Sequence, residues 1–202
     1  MNSTLHMKSA ERGIMLLIAM VTAVALAFAG MSLVRAVATG VAIGGNVDAR
    51  RQAMLAASAA LEHDVAALFA TGIVTAGDDL PRNYFASRQA GEDARGVPSA
   101  LQSIAGYPTA LPVLDAGDGY AARHVIERLC VAPGEASVAV CTLSPPSIAA
   151  ASGTPPPGDP PRRPYYRITV RIDGPAGAAT FVQSIVSDTH ANPRLSWRVL
   201  DE

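Results

Sequence analysis

Four histidines and two cysteines are the residues of this chain best suited to catalysis or metal binding. The histidines, His6, His63, His124 and His190, are scattered, and no Ser-His-Asp, HExxH, Walker or Rossmann pattern surrounds them. An active site needs several such groups converging on one point. The sequence therefore predicts no catalytic residue, no cofactor, no metal ligand and no small-molecule substrate, and we do not expect an enzyme.

Two weaker patterns have ordinary explanations. Asp115 and Asp118, in the segment DAGDG, lack the spaced acids and terminal glutamate of a calcium loop, so a simple turn is predicted. Arginines near the C-terminus would allow contact with DNA or another anionic surface. With a formal net charge of -1 and 16% charged residues, we predict a solvated polar face and no nucleic-acid partner. These arginines are Arg162, Arg163, Arg167 and Arg171.

The cysteines, Cys130 and Cys141, lie in short β-patterned runs, and their spacing fits neither a redox motif nor a zinc motif. We predict that they form a disulfide. In an oxidising compartment it would contribute about 2 to 3 kcal/mol by restricting the unfolded chain. The alternative is a pair of buried, unpaired thiols.

An apolar segment from Ile14 to Val34 dominates the N-terminal part of the chain. It contains no charged residue and no proline, and it reaches the ~20 residues that a helix needs to cross a bilayer. Lys8 and Arg12 precede it, which favours a cytoplasmic N-terminus and an exported C-terminal part, while Arg35 on the far flank weakens that bias.

Spacing alone leaves three fates open for this segment. A signal peptidase would cut after the small-residue motif Ala27-Phe28-Ala29, and an uncleaved anchor would keep everything. Cleavage after Gly13 would instead remove residues 1–13 as a short polar leader and retain the apolar helix.

Helical patterning continues through residues 35–70. Apolar residues recur at seven-residue steps, at Val47, Met54, Leu61 and Leu68, and Val65 completes the stripe. We predict one helix from about Ile14 to Phe69, membrane-spanning over 14–34 and amphipathic over 35–70. The alternative is two helices with a break at Gly44-Gly45.

Residues 71–202 are predicted to form one globular domain. Its first part, 71–118, reads as loop with a short helix near Ser99 to Ile104. Segments 120–130 and 137–143 are predicted to pair as a hairpin whose ends the disulfide joins. The proline-rich stretch 144–164 is predicted to be a surface loop.

The clearest strand signal is YYRITVRI at 165–172, followed by the turn DGPAG and a second strand at 178–187. Alternation places Tyr166, Ile168, Val170 and Ile172 on a buried face and leaves the opposite face exposed. A run at 195–200 adds an edge strand, with Trp197 in the core or at the rim. The predicted fold class is α+β, with a long N-terminal helix packed on a C-terminal antiparallel sheet.

Three segments, RGIMLLIAMVTAVALAFAGMSLVRAV, GGNVDARRQAMLAASAALE and YYRITVRIDGPAGAATFVQSIV, resemble the PilX family of type IV pilus assembly proteins, which are minor pilins. The resemblance covers about 55 N-terminal residues and roughly the last 40 residues of the chain. Between them, only the order and class of elements match. The resemblance implies a pilin-like fold and a structural role in priming or tipping a pilus.

For individual residues, the resemblance implies that a prepilin peptidase cleaves between Gly13 and Ile14 and that Ile14 becomes an N-methylated terminus. The implied partners are other minor pilins, the pilus assembly machinery and inner-membrane lipid, with the C-terminal domain in the periplasm. One position departs from the family. Ile18 stands where most pilins carry a glutamate, four residues after the cleavage site. The rival hypothesis is an anchored or secreted periplasmic binding domain unrelated to pili.

Overall fold

A single helix, α1 (Met7–Leu68), begins the fold. The computed structural model describes residues 7–70, 75–108, 111–145, 162–187 and 194–200. The chain divides into two units, Met1–Arg50 and Arg51–Glu202, and α1 begins in the first and ends in the second. The prediction of one long helix is confirmed. Gly44 and Gly45 do not interrupt it, although each glycine costs roughly 1 kcal/mol in a helix interior.

In the second unit, α1 packs an alanine-rich face against the sheet. Its buried apolar residues are Ala53, Ala56, Ala57, Ala60, Leu61, Val65 and Leu68. Small side chains allow the helix backbone to approach the sheet closely. Many van der Waals contacts between backbone and side-chain atoms then replace the contacts of a few large side chains. The predicted stripe is only partly right: Met54 is half-buried at the edge of this contact, and Val47 is exposed in the first unit.

A six-stranded sheet forms the body of the second unit. Its strands are β1 (Tyr84–Phe85), β2 (Leu114–Asp115), β3 (Ala121–Arg128), β4 (Tyr165–Asp173), β5 (Ala179–Ser187) and β6 (Arg194–Val199). The order is β1-β3-β4-β5-β6, and β2 also pairs with β3. The α+β class is confirmed, but the prediction of a purely antiparallel sheet is wrong, because β1 runs parallel to β3. No tight hairpin turn joins these two strands, so no turn dictates their relative direction.

The predicted C-terminal hairpin is confirmed. Strands β4 and β5 pair antiparallel from Tyr165↔Ser187 to Asp173↔Ala179. The turn between them requires Gly174, since a Cβ there would lie 2.8 Å from the ring of Tyr120. Strand β6 adds to β5 as an edge strand, and Trp197 lies at its rim with 38% of its surface exposed.

The predicted hairpin between 120–130 and 137–143 is present only around the disulfide, where Cys130 and Cys141 form an isolated antiparallel bridge. Strand β3 pairs along its whole length with β4, and its other edge is shared by β1 and β2. Both ends of β3 are therefore paired on both edges. Residues 138–140 form a turn instead, and only Cys130 and Cys141 form a bridge.

The prediction that Arg167 and Arg171 lie on a solvated face is also wrong. They are 5% and 8% exposed, and Thr169 between them is fully buried. The segment 86–108, with the short helix α2 (Ser99–Gln102), covers this face of the sheet. Its apolar side chains pack in a second cluster made of Val97, Leu101, Tyr107, Val125, Phe181 and Leu200.

The proline-rich stretch 144–164 closes on itself at its base. Ser144 N–H donates to Arg163 O at 2.8 Å, and Leu143 and Pro164 form an antiparallel bridge. Residues 146–161 lie outside the described residues, so the predicted surface loop is described only at its two ends.

Candidate functional site

The largest exposed apolar surface in the described residues belongs to α1 itself. Every side chain from residue 14 to residue 50 is exposed, including large ones such as Met15 and Leu26. A helix that is apolar on all sides is typical of a membrane span or of a buried helix, and none of the residues 14–50 is buried within the fold. Its length and apolar composition are sufficient to cross a membrane, and a signal sequence would meet the same criterion.

The hydroxyl groups in this segment bond to the helix backbone. Thr22 Oγ1 donates to Ile18 O at 3.0 Å, and Ser32 Oγ donates to Phe28 O at 3.0 Å. Thr39 Oγ1 donates to Arg35 O in the same way, at 2.9 Å. Such bonds leave no hydroxyl donor unpaired when the helix enters an apolar environment. The surface is therefore compatible with lipid or with other apolar helices.

The residues predicted for processing lie in the first turns of α1. Gly13 and Ile14 are both helical, and Ile14 is exposed. Ile18 is likewise an exposed aliphatic residue, so it brings no carboxylate to this surface. Cleavage after Gly13 and methylation of Ile14 stay predictions.

The predicted disulfide is present between Cys130 and Cys141. Backbone bonds lie on both sides of it: Thr142 N–H donates to Leu129 O on one side, and Val131 N–H donates to Val140 O on the other. Tyr165 N–H also donates to Thr142 O. The short loop that it closes is held to the body of the unit by Arg128, whose Nη2 donates to Gly134 O at 2.6 Å. The disulfide thus anchors the end of β3 beside the start of β4.

The arginines of β4 belong to a buried charge network. Arg167 donates to Glu127 Oε2 through Nε at 2.9 Å and Nη2 at 2.6 Å, and it also bonds Glu92. The hydrogen bond from Arg167 keeps the pKa of Glu92 below its ordinary value. Arg171 donates to Asp173 Oδ1 at 2.7 Å and to Leu101 O at 2.9 Å. These side chains hold the covering segment 86–108 on the sheet, so they are structural.

Two of the scattered histidines meet in the fold. His63 of α1 and His124 of β3 each place Nδ1 3.3 Å from Asp64 Oδ1. Burial raises the pKa of Asp64. The sequence did not predict this cluster, because Asp64 and His124 lie 60 positions apart in the chain. Asp64 fills a core position of an otherwise alanine-rich helix face. A carboxylate interrupting that apolar face is the one signal available. His6 and His190 lie outside the described residues.

No group of three or more His, Cys, Asp or Glu side chains suited to a metal ion occurs in the described part of the chain. The weak calcium pattern is an ordinary turn: Gly117 N–H donates to Asp115 Oδ1 at 3.0 Å, and Tyr120 N–H to Gly117 O at 2.8 Å. Asp118 adopts a left-handed conformation within it.

Comparisons of the chain with protein-family models, with curated proteins and with solved structures found no match.

Proposed function

We propose that this protein is a minor pilin, similar to the PilX family, which takes part in type IV pilus assembly as a priming or tip subunit. Its role is structural and involves no catalysis. The observation that supports this best is one helix with two different surfaces. Residues 14–34 are apolar and exposed on every side, whereas residues 53–68 pack an alanine-rich face on a sheet.

The exposed apolar residues make this helix an assembly surface. An apolar patch of this size cannot remain in water, so it needs lipid before assembly and the apolar helices of other subunits afterwards. Once its hydroxyl groups bond to its own backbone, the helix moves between these environments without breaking hydrogen bonds. Side-by-side packing of such helices would provide the energy that holds a fibre together.

Ile18 favours a priming or tip position over the shaft. A carboxylate at this position in a pilin compensates the terminal amine of a neighbouring subunit, and a charge without a partner in an apolar bundle is costly. An isoleucine offers no such compensation. A subunit that is added once, at the start of the fibre, needs it least.

The proposed location is the inner membrane, with the C-terminal domain in the periplasm. Lys8 and Arg12 before the apolar segment favour a cytoplasmic N-terminus. The Cys130–Cys141 disulfide fits an oxidising compartment. A prepilin peptidase would then cut after Gly13 from the cytoplasmic side and leave Ile14 as the methylated terminus.

Mass spectrometry of the mature N-terminus tests this proposal. Protein isolated from cell membranes should begin at an N-methylated Ile14. A chain beginning at Gly30 would show ordinary secretion of the C-terminal part, and an intact Met1 would show a plain anchor. Either of these results would contradict the pilin proposal and favour the periplasmic binding domain.

Co-purification tests the partners separately. Crosslinking in piliated cells, followed by purification of this chain, should recover other minor pilins. A charged variant of the assembly surface, with Leu16→Arg and Met20→Arg, should lose them, because both side chains are exposed apolar residues of α1. Recovery of no pilin by the unmodified chain would contradict the proposed assembly role.

A further inference from the structure

One buried polar contact joins the end of α1 to the sheet within the second unit. Asp64 of α1 is 1% exposed and lies on a helix face that is otherwise apolar. His124 of β3 is also buried, and its Nδ1 lies 3.3 Å from Asp64 Oδ1. Any change in the protonation of this pair therefore acts directly on the contact between helix and sheet.

Both ring nitrogens of His124 face oxygen atoms. Nε2 lies 3.1 Å from the backbone carbonyl oxygen of Arg82, which can only accept, and Nδ1 faces Asp64 Oδ1. A neutral imidazole carries a single hydrogen. If Asp64 is ionised, one nitrogen of His124 therefore always meets an acceptor with no hydrogen between the two atoms.

The unpaired atoms of the structure lie at this contact. His124 Nδ1 and Asp64 Oδ2 are buried and have no hydrogen-bond partner among the residues that the structure describes. Buried polar atoms of this kind cost free energy when they stay unpaired. One added proton removes the conflict, because a protonated Asp64 can donate from Oδ1 to Nδ1 while Nε2–H donates to Arg82 O.

The arginines around this pair are engaged elsewhere. Arg82 pairs with Asp79, and Arg123 pairs with Asp173. Backbone carbonyl groups accept from the two tyrosine hydroxyls at this place, which belong to Tyr84 and Tyr107. These groups therefore do little to stabilise a negative charge on the carboxyl group of α1.

The position of Asp64 in the helix also disfavours its ionised form. It lies close to the C-terminal end of α1, where unpaired carbonyl groups give the helix a partial negative charge. Burial raises the pKa of Asp64 in the same direction. His63 places its Nδ1 3.3 Å from Asp64 Oδ1, but its side chain is largely exposed, so water weakens this interaction.

We propose that Asp64 and His124 form a proton-dependent latch between α1 and β3. With a proton between Oδ1 and Nδ1, the latch holds the end of the helix on the sheet. When rising pH removes that proton, the two acceptors repel each other and the last turns of α1 loosen. Since the folded chain binds the proton more tightly than the unfolded chain, the stabilisation is present at low pH and is lost as the pH rises.

An NMR titration of the full chain in maltoside micelles, from acidic to alkaline pH, tests the latch. The carboxyl-carbon shift of Asp64 reports its ionisation. The methyl shifts of Leu68 report the docking of the helix end, because Leu68 packs in one cluster with Ile126 of β3. Both signals should change with a common midpoint above 3.8, the ordinary pKa of aspartate. A midpoint at or below that value, or Leu68 methyl shifts that do not follow the carboxyl signal, would overturn the proposal.

Two asparagine variants test whether this carboxyl group carries the effect. In Asp64→Asn, the side-chain N–H can donate to His124 Nδ1 at every pH, so the latch stays closed and the Leu68 shifts should lose most of their pH dependence. Asp118→Asn makes the same change in an exposed turn and should leave the titration of Leu68 as it is in the unmodified chain. An unchanged pH dependence of Leu68 in Asp64→Asn would rule out the latch.

A third variant separates the two histidines. His63→Gln removes the exposed neighbour of Asp64 and should preserve the common midpoint of Asp64 and Leu68. Loss of the coupled change in this variant would assign the proton to His63 and Asp64, and the latch between α1 and β3 would be refuted. The proposal does not depend on the pilus proposal, since every measurement concerns the second unit only.

Discussion

Glu127 is fully buried and takes part in three hydrogen bonds. It accepts from Arg167 Nε and Nη2, and from the backbone N–H of Gln89 at 2.7 Å. A glutamine in its place would point its NH2 group at one of these N–H donors. It would also remove the negative charge that compensates the buried Arg167 guanidinium. We expect Glu127→Gln to lower the free energy of unfolding by about 3 kcal/mol, as for the loss of one member of a buried ion pair. Urea denaturation of the full chain in micelles measures the effect.

The matched control for Glu127 is Glu135→Gln. Glu135 is exposed in the disulfide loop, so the same chemical change should alter the free energy of unfolding by less than about 0.5 kcal/mol. Equal effects of the two substitutions would show that the network around Arg167 does not stabilise the unit.

The contributions of Glu92 and Asp64 to the free energy of unfolding should depend on pH in opposite directions. Arg167 keeps the pKa of Glu92 below its ordinary value of 4.5, so the unfolded chain binds the proton more readily. The stabilisation by Glu92 is therefore present above that value and is lost as the pH falls. Burial raises the pKa of Asp64 above 3.8, so its contribution is present at lower pH and is lost as the pH rises.

Substitution of each acid should expose these opposite signs. At neutral pH, Glu92→Gln should destabilise the chain and Asp64→Asn should stabilise it, and both differences should shrink as the pH falls into the acidic range where both acids are protonated. Urea midpoints across this range, with the unmodified chain as reference, provide the measurement. Parallel curves for the two variants would refute the assignment.

The residue-scale errors of the sequence analysis share one cause. The alternation in β4 correctly separates its two faces, but it does not say what covers the second one. Arg167 and Arg171 are polar, so the pattern predicts solvent, whereas Glu127 and the carbonyl of Leu101 supply their partners within the fold. Those partners come from distant positions in the chain, and no local pattern marks them.

At the scale of elements, the small residues of α1 determine how it sits on the sheet. Ala57 is fully buried, and a leucine there would force the helix away from the strands or strain its neighbours. We expect Ala57→Leu to reduce the free energy of unfolding by about 1 to 3 kcal/mol. Ala59→Leu is the matched control, because Ala59 is exposed two residues along the same helix.

Urea unfolding of both leucine variants distinguishes the faces of the helix. The free energy of unfolding of the Ala59→Leu control should stay near that of the unmodified chain, since leucine has nearly the helix propensity of alanine. A loss in Ala59→Leu as large as in Ala57→Leu would mean that packing on this face does not set the stability.

Elements with strong local signals were predictable from the sequence. Elements whose place depends on which of several segments pairs with β3 were not. Helix α1 and the β4–β5 hairpin follow from long periodic runs and from a turn between two strands. The segment 137–143 has the composition of a strand, but β4 is longer and occupies the edge of β3 that this segment would need. Strand β1 has two residues and joins in parallel, which no short pattern predicts.

At the scale of the whole molecule, the charged residues of α1 are distributed as expected for a helix that lies partly in lipid and partly in water. No charged residue occurs between Ile14 and Val34, whereas Arg35, Asp48, Arg50 and Arg51 follow in the next part of the helix. The disulfide and the buried ion pairs lie in the second unit. A helix of this kind allows one continuous element to pass from lipid to water without a break.

Charges placed in each part of α1 test this division. The double variant Val24→Arg, Leu26→Arg adds two cations to the middle of the apolar segment, at about 2.5 to 3.5 kcal/mol each. We expect it to be extracted from membranes by alkaline carbonate and to show reduced Cys130–Cys141 oxidation, because export fails. The double variant Leu55→Arg, Ala59→Arg adds the same charges at exposed positions of the second unit and should remain in the membrane fraction with an intact disulfide. If both variants stay equally in the membrane fraction, residues 14–34 are not the segment that anchors the chain, and the proposed membrane span is contradicted.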